Sequence, residues 1–387
     1  YKKSRIDAIL GACKVYLLRT GTMDVKRKIR LETTGKRPLY FASLIINRIF
    51  ARPFWRKLYR KLDEKITHNR TVKDFIKTIN PNLIVAAHIF DDSQSALIRE
   101  GRRLGITTIG IINSWDKLTA RSTVRVLPDI AIAHNEIIRK EMREFSDMED
   151  SRIEIVGIPH FDHYFEKATC SREELFEKIG ADPSKKLIMF APIGKTFADV
   201  DDEIVEILDE ILKSEKLNEP VQFLVRFPPN DSVDLSENHT NGFIIEQPGT
   251  RFSRERGVDW DMNKSEIAHL RNELEFTDIL ITHFSTLILE ASLLDKPVIT
   301  IGFDGKYERP LSKSISRFYN FTHVLPVVTS GGTRIVKSAN ELTEVINNYL
   351  RRPDLDNSGR KYLSSTQIQF LDGKSSERMA SIIIGAL

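Results

Sequence analysis

The stretch Asp278-Ile-Leu-Ile-Thr-His-Phe-Ser-Thr-Leu-Ile-Leu-Glu-Ala-Ser concentrates groups that can hold an anion. An apolar run ends in a loop bearing His283, Ser285 and Thr286, and a helical pattern starts at once. A hydroxyl at a helix start caps the first free N–H groups, and those groups together with the helix dipole attract phosphate. His283 at the strand tip can donate to a phosphate oxygen. Glu290, about one turn into the helix, lies within reach of a ribose hydroxyl pair. An ordinary strand-cap-helix unit without a ligand is written with the same letters.

Two other loops carry cations in similar positions. Phe190-Ala-Pro-Ile-Gly-Lys-Thr places Lys195 after an apolar run, and Leu224-Val-Arg-Phe-Pro-Pro-Asn ends another run at Arg226. Cations at the ends of such runs could neutralise an anion. No acidic metal signature stands out. The pairs Asp91-Asp92 and Asp201-Asp202 read better as helix starts, where acids stabilise the dipole. His160, Asp162 and His163 lack the spacing and the further ligands of a zinc site. They follow Gly157-Ile-Pro, which reads as an anchor for an interdomain linker. Arg251, Arg254 and Arg256 read as a solvated basic loop.

In the first half, Ile111-Ile-Asn-Ser-Trp-Asp-Lys-Leu-Thr-Ala-Arg-Ser follows an apolar run. Asp116 at a strand tip could deprotonate a hydroxyl. Its ordinary pKa of about 3.9 keeps it ionised, and burial beside Trp115 would raise that value. Asp116 could equally cap a turn, with Trp115 in the core. His88 and His134 end neighbouring runs and, with Trp115, could line an acceptor side.

The elements that must position these residues alternate along the chain. Apolar β-branched runs at 83–87, 107–112, 130–133 and 153–156 are separated by helical patterns at 94–104 and 136–145. The second half repeats this, with runs at 186–191, 221–225, 242–245, 278–282 and 297–301 and helices at 201–214, 264–274, 286–294, 339–350 and 375 onward. Such alternation means βαβ units and parallel sheets. The chain therefore reads as α/β, with two doubly wound halves divided near 158–184 and a cleft at the carboxyl ends of their strands. The expected division is a basic helical segment at 1–70, a first Rossmann-like domain at 71–165 and a second at 166–387.

Composition sets the outer limits. The 387 residues include 41% hydrophobic side chains, 58 Lys+Arg and 54 Asp+Glu, an ordinary globular balance. Two cysteines, Cys13 and Cys170, make no scaffold and fit a reducing cytosol. No apolar run approaches the roughly 20 residues of a spanning helix. No signal peptide is legible, although the first residue is Tyr. Residues 1–70 hold 19 basic and 5 acidic residues, an excess of 14, so the remainder is acidic by ten. The runs around Leu44, Ile45, Ile49, Phe54, Leu58 and Leu62 have helical spacing among Lys and Arg. A basic amphipathic segment of this kind docks on an anionic membrane surface, or packs its apolar face on its own domain. Nucleic acid is not an expected partner, since no recognisable module is present and the body is acidic.

Four segments resemble, in order, those of GT-B glycosyltransferases grouped with the CDP-glycerol glycerophosphotransferases, kin to the UDP-N-acetylglucosamine 2-epimerases. They are the 278–299 segment, Phe190 to Thr196, Leu224 to Asn230, and Leu371-Asp-Gly-Lys-Ser-Ser-Glu-Arg. The resemblance covers about residues 80–387. It implies a GT-B fold of two Rossmann-like domains and a nucleotide-activated donor as substrate, with no separate cofactor. Lys195, Arg226, His283, Ser285 and Thr286 would hold its phosphates, and Glu290 its ribose. The relatives carry Trp-His-Gly-x-x-x-Lys where this chain has Trp115-Asp116, so Asp116 takes the place of their basic His. Pro228 stands where a second His belongs. The expected activity is cytoplasmic, at the inner membrane face: transfer of a sugar from a nucleotide sugar to a glycan or lipid-linked acceptor. A CDP-glycerol or CDP-ribitol phosphotransferase and a sugar-nucleotide 2-epimerase are the alternatives.

Overall fold

The computed structural model describes residues 3–252 and 260–387. Arg254 and Arg256 lie outside the described residues. The chain forms two compact units: residues 1–162 with 321–323 and 366–387, and residues 163–320 with 324–365.

The first unit begins with helices Arg5–Cys13, Gly21–Thr34, Arg37–Phe50, Pro53–Ile66 and Arg70–Ile79. Thr20 and Asn69 cap two of them by accepting from the N–H groups of Met23 and Val72. A parallel sheet follows in the order β1 (Leu83–Ala86), β2 (Thr107–Ile111), β3 (Ile130–Ala133) and β4 (Ile153–Ile155). Asp91 caps the helix Asp92–Arg103 as its spacing implied. One face of the sheet packs Ala86, Ile112, Ala131 and Ile153 against Ile138 and Met142. On the other, Ile109, Ile132 and Val156 meet Met379, Ile382, Ile383 and Ala386 of the last helix, Ser375–Gly385. Residues 366–387 therefore complete the first unit rather than the second domain with which the sequence grouped them. Gly157 allows that closure: its φ is +90°, and a Cβ there would stand 2.4 Å from Ser375 Oγ. Asp162 fastens the same helix start, accepting from the N–H groups of Ser375 at 2.9 Å and Ser376 at 2.7 Å.

The second unit has a six-stranded parallel sheet built from β5 (Lys186–Ala191), β6 (Val221–Arg226), β7 (Phe243–Glu246), β10 (Ile279–Thr282), β11 (Val298–Ile301) and β12 (Arg334–Val336). A separate antiparallel pair joins β8 (Thr250–Arg251) to β9 (Trp260–Asp261). The order across the large sheet is β12-β11-β10-β5-β6-β7. Strand order reverses between β5 and β10, and the crevice outside the carboxyl ends at such a reversal is where open α/β sheets bind ligands. Ile188, Phe190, Phe223, Val225, Ile279 and Ile299 form its core.

Candidate functional site

In the second unit the reversal brings together the loops after β5 and β10. Thr282 Oγ1 donates to the Ala191 carbonyl at 3.0 Å, clamping one loop to the other. His283 is fully buried, edge-on to Phe190, with Nε2 3.3 Å from Asp201 Oδ1. Asp201 also accepts from the N–H groups of Ile193 and Gly194 at 3.1 and 2.9 Å. That acid is a loop fastener in the first turn of helix Asp201–Lys213, in line with its reading as a helix start. Gly194 has φ +87° and no room for a Cβ, which would stand 2.7 Å from Asp231 Oδ2. Lys195 follows it on the exposed surface, paired with Asp234.

Ser285 and Thr286 precede the helix Leu287–Leu293. Ser285 Oγ accepts from Leu287 N–H at 3.3 Å, and Thr286 occupies the cap position with helical dihedrals and no side-chain cap. The turn is open to solvent: Thr286 is exposed and Ser285 half-buried.

Arg226 and Glu290 sit deeper than their sequence positions suggest. Arg226 ends β6 nearly buried, donating to Glu246 at 3.0 Å and to Glu273. His269 Nε2 lies 3.1 Å from Glu246 Oε1 and 3.4 Å from Glu273 Oε1. These three residues bring potential metal-ligand atoms within 4.8 Å of one another. The cation already among them is the Arg226 guanidinium. Burial and the bond to Glu246 raise the Glu273 pKa well above the carboxylate range. At Glu246 burial also acts upward, but bonds from His269 and Glu273 with the Arg226 charge bring it to about 2. Glu290 is buried and accepts from the Tyr164 hydroxyl; desolvation raises its pKa, against Tyr164 and Arg226. The carboxyl group that the sequence offered for a ribose is thus already held by a tyrosine.

In the first unit the carboxyl ends of the strands gather the other constellation. Asp116 is half-buried at the start of a short turn of helix, Lys117–Ala120, and accepts from Ser114 Oγ. Trp115 packs edge-on to His323, centroids 5.7 Å apart. His323 Nδ1 lies 3.0 Å from Thr119 Oγ1. Lys26 reaches over to donate to the Ala120 carbonyl. Burial lowers its pKa, with Asp116 opposing and Arg121 and Lys117 adding to the fall. The His88 pKa is also lowered, by burial, Arg121 and Lys117, so cations crowd this edge. His134 is buried and lowered to about 4 by desolvation. Sequence reasoning missed His323 and Lys26, which come from distant segments and sit in no motif, and likewise Tyr164 and Glu273.

Glu141, nearly buried on helix Glu136–Ser146, has its pKa raised to about 8 by burial, Glu144 and Asp116. The folded state therefore binds a proton that the unfolded chain gives up near 4.5. Stability must fall as pH rises from about 4.5 to about 8, at roughly 1.4 kcal/mol per unit from this group. Glu141→Gln removes the penalty. Urea unfolding should show the variant ahead of the parent by a few kcal/mol at pH 8 and level with it at pH 4.5. A constant difference across that range would show that Glu141 is ionised in the fold.

Both units have the α/β architecture of the GT-B class. A profile for the CDP-glycerol:poly(glycerophosphate) glycerophosphotransferase family matches residues 111–385, and the chain belongs to that family. It is 23% identical over 256 residues to a teichoic acid poly(ribitol-phosphate) polymerase of Bacillus spizizenii, covering 65% of this chain and 37% of that protein. It is 25% identical over 240 residues to the teichoic acid ribitol-phosphate polymerase TarL of Staphylococcus aureus, covering 59% and 36%. The chain thus spans little more than a third of the length of the curated relatives it matches. Its fold is similar to that of the UDP-GlcNAc 2-epimerase from Neisseria meningitidis bound to UDP-GlcNAc, with TM-score 0.53 at 12% identity over 85% of this chain and 82% of that one.

Proposed function

We propose that the chain transfers an alditol phosphate, of the glycerol or ribitol type, from a CDP-activated donor to a hydroxyl of a glycan-like polymer. The family match carries this reading, because it runs through both constellations, from the Trp115-Asp116 tip to the loop after β10. Transfer of a sugar from a nucleotide sugar, the sequence's first reading, has less support: both curated relatives are ribitol-phosphate polymerases. The likeness to epimerases extends to fold alone.

The donor site in this reading is the crevice at the β5/β10 reversal. Ser285, Thr286 and Lys195 are solvent-accessible and meet the phosphates; His283 and Arg226 act from beneath as buried positive or donor groups. Asp116 drives deprotonation of the acceptor hydroxyl. Lys26, Lys117 and Arg121 suit an acceptor that brings its own negative charge.

A ligand that binds only the folded state stabilises by RT ln(1 + [L]/Kd), about 2.7 kcal/mol at 100 Kd. CDP-glycerol or CDP-ribitol should therefore raise the unfolding temperature by several degrees, and a UDP-sugar should not. Protection by the UDP-sugar alone would return the sugar-transfer reading to first place.

The N-terminal helices support a membrane-surface partner by an inversion of the usual pattern. Helix Pro53–Ile66 turns Arg56, Tyr59 and Asp63 inward. Phe54, Leu58 and Leu62 face out, at 67%, 36% and 44% exposure, as do Ile45 and Ile49 of the preceding helix at 61% and 45%. The apolar face is therefore outside, among lysines and arginines, as on helices that lie in an anionic interface. Among the described residues no helix is long and apolar enough to cross a membrane. Vesicles with anionic phospholipid should sediment the protein, and replacing Phe54, Leu58 and Leu62 together with Ser should abolish this. Equal sedimentation of that variant would place the contact elsewhere.

A further inference from the structure

Helices Gly21–Thr34 and Arg37–Phe50 of the first unit leave a cavity of about 360 Å³ between them. Its size follows from the side chains that face it. One helix offers Met23 and Leu31, but the other answers with Ala42 and Ser43, which are too small to fill the space. The Ser43 hydroxyl is turned onto its own helix, donating to the Tyr40 carbonyl at 2.7 Å. Buried Asn47 fixes the walls: its amide donates to the carbonyls of Tyr16 and Leu18 at 3.0 and 2.7 Å and accepts from Arg27 at 3.0 Å. Interiors are normally packed without such voids, and an apolar space of roughly 300–1,000 Å³ is the size of a small-molecule site.

The lining is apolar inside and cationic at its edge. Lys26, Arg27, Arg30 and Lys36 line it, and among the described residues no acidic side chain does. Arg30 and Lys36 are exposed. Arg27 is held by Asp24 and Asn47, yet its Nε is buried without a hydrogen-bond partner among the described residues. Leu39 and Ile46 line the cavity and are also exposed, on the helix that turns Ile45 and Ile49 outward. The cavity is therefore continuous with the apolar surface assigned above to an anionic interface. An apolar chain ending in an anion matches both parts of such a lining. A free phosphate would leave the void empty, and a neutral apolar molecule would leave the cations unused.

We propose that this cavity takes one acyl chain of an anionic phospholipid drawn from the membrane leaflet, with the lipid's phosphate against Arg30 and Lys36. The inference rests on the membrane-surface reading above and is independent of the transfer chemistry. It adds a saturable site for one lipid to a surface that would otherwise adsorb to the bilayer by area and charge alone.

The test uses the full chain and lysophosphatidylglycerol below its micelle concentration, titrated in a calorimeter. One molecule should bind per chain, and each methylene added to its acyl chain should tighten binding about fourfold until the cavity is full. Lysophosphatidylcholine of the same length should bind at least about tenfold more weakly, and glycerol phosphate should not compete. Ser43→Phe, which fills the cavity, should weaken binding at least about tenfold, and so should Arg30→Glu with Lys36→Glu, which reverses the charge at its edge. If Ser43→Phe does not fold, the charge variant and the chain-length series decide. Equal binding of the choline lipid, no dependence on chain length, or full binding by either folded variant would overturn the proposal. The variant with Phe54, Leu58 and Leu62 replaced by Ser is altered outside the cavity and should bind the monomeric lipid like the parent. Loss of binding there would put the lipid on the exposed face and overturn the cavity site too. A parent that sediments with anionic vesicles but binds no monomeric lipid would remove the cavity's role and keep the surface reading. Failure in both assays would remove both.

Discussion

Asp116→Asn should lower turnover by about two to four orders of magnitude, the range that proton transfer by a positioned side chain contributes. Asparagine keeps the shape and can still accept from Ser114 Oγ, so the turn Lys117–Ala120 should stay in place. What it loses is the negative charge. Without it, Lys26, Lys117 and Arg121 are left to act against a new positive charge at this edge. The groups assigned to the donor lie in the second unit, so donor protection against heat should match the parent within error. The measurement is release of cytidine monophosphate with acceptor present. Unchanged release would remove Asp116 from the chemistry, and reduced donor protection would mean that the carboxylate serves binding instead.

Asp63→Ala should cost about 3–5 kcal/mol of folding free energy, the usual result of removing one partner from a buried ion cluster. Asp63 accepts from Arg99 at 2.7 Å and from Arg125 at 2.6 Å, and all three side chains are about 1% exposed. Alanine would leave two guanidinium groups out of water without their shared counter-ion. For a fold whose whole stability is about 5–15 kcal/mol, that is a large fraction. Urea unfolding measures it. Adding Arg99→Met to the variant should recover part of the loss, because an apolar group of similar volume carries no desolvation penalty, while Arg125 keeps buried Asp7 as its partner at 2.7 Å. A loss under 1 kcal/mol for the single change would show that water reaches the cluster.

The strand-tip residues were legible in the sequence because βαβ repetition leaves little choice. Once 107–112 and 278–282 are strands of parallel sheets, Asp116 and Ser285 must follow carboxyl ends. The helix starts at Asp91-Asp92 and Asp201-Asp202 were legible for the same local reason. Depth was not. Arg226 and Glu290 occupy the expected loops, yet their partners Glu273 and Tyr164 are far away in sequence, and only tertiary contact sinks them. Periodicity likewise marked helices over 37–62 but not their orientation. What turns Arg56 and Asp63 inward is Asp147, Arg99 and Arg125, none of them close in the chain. The short strand Arg334–Val336 was missed because three residues after two glycines give no period to read.

The packing of the last helix on Ile109, Ile132 and Val156 bears on how the protein is made. On the ribosome, the first sheet emerges early but keeps one oily flank uncovered until residue 387 has been translated. The second sheet can mature while the first waits. A fragment stopped at residue 165 should be prone to aggregate unless a peptide of residues 366–387 is supplied to it.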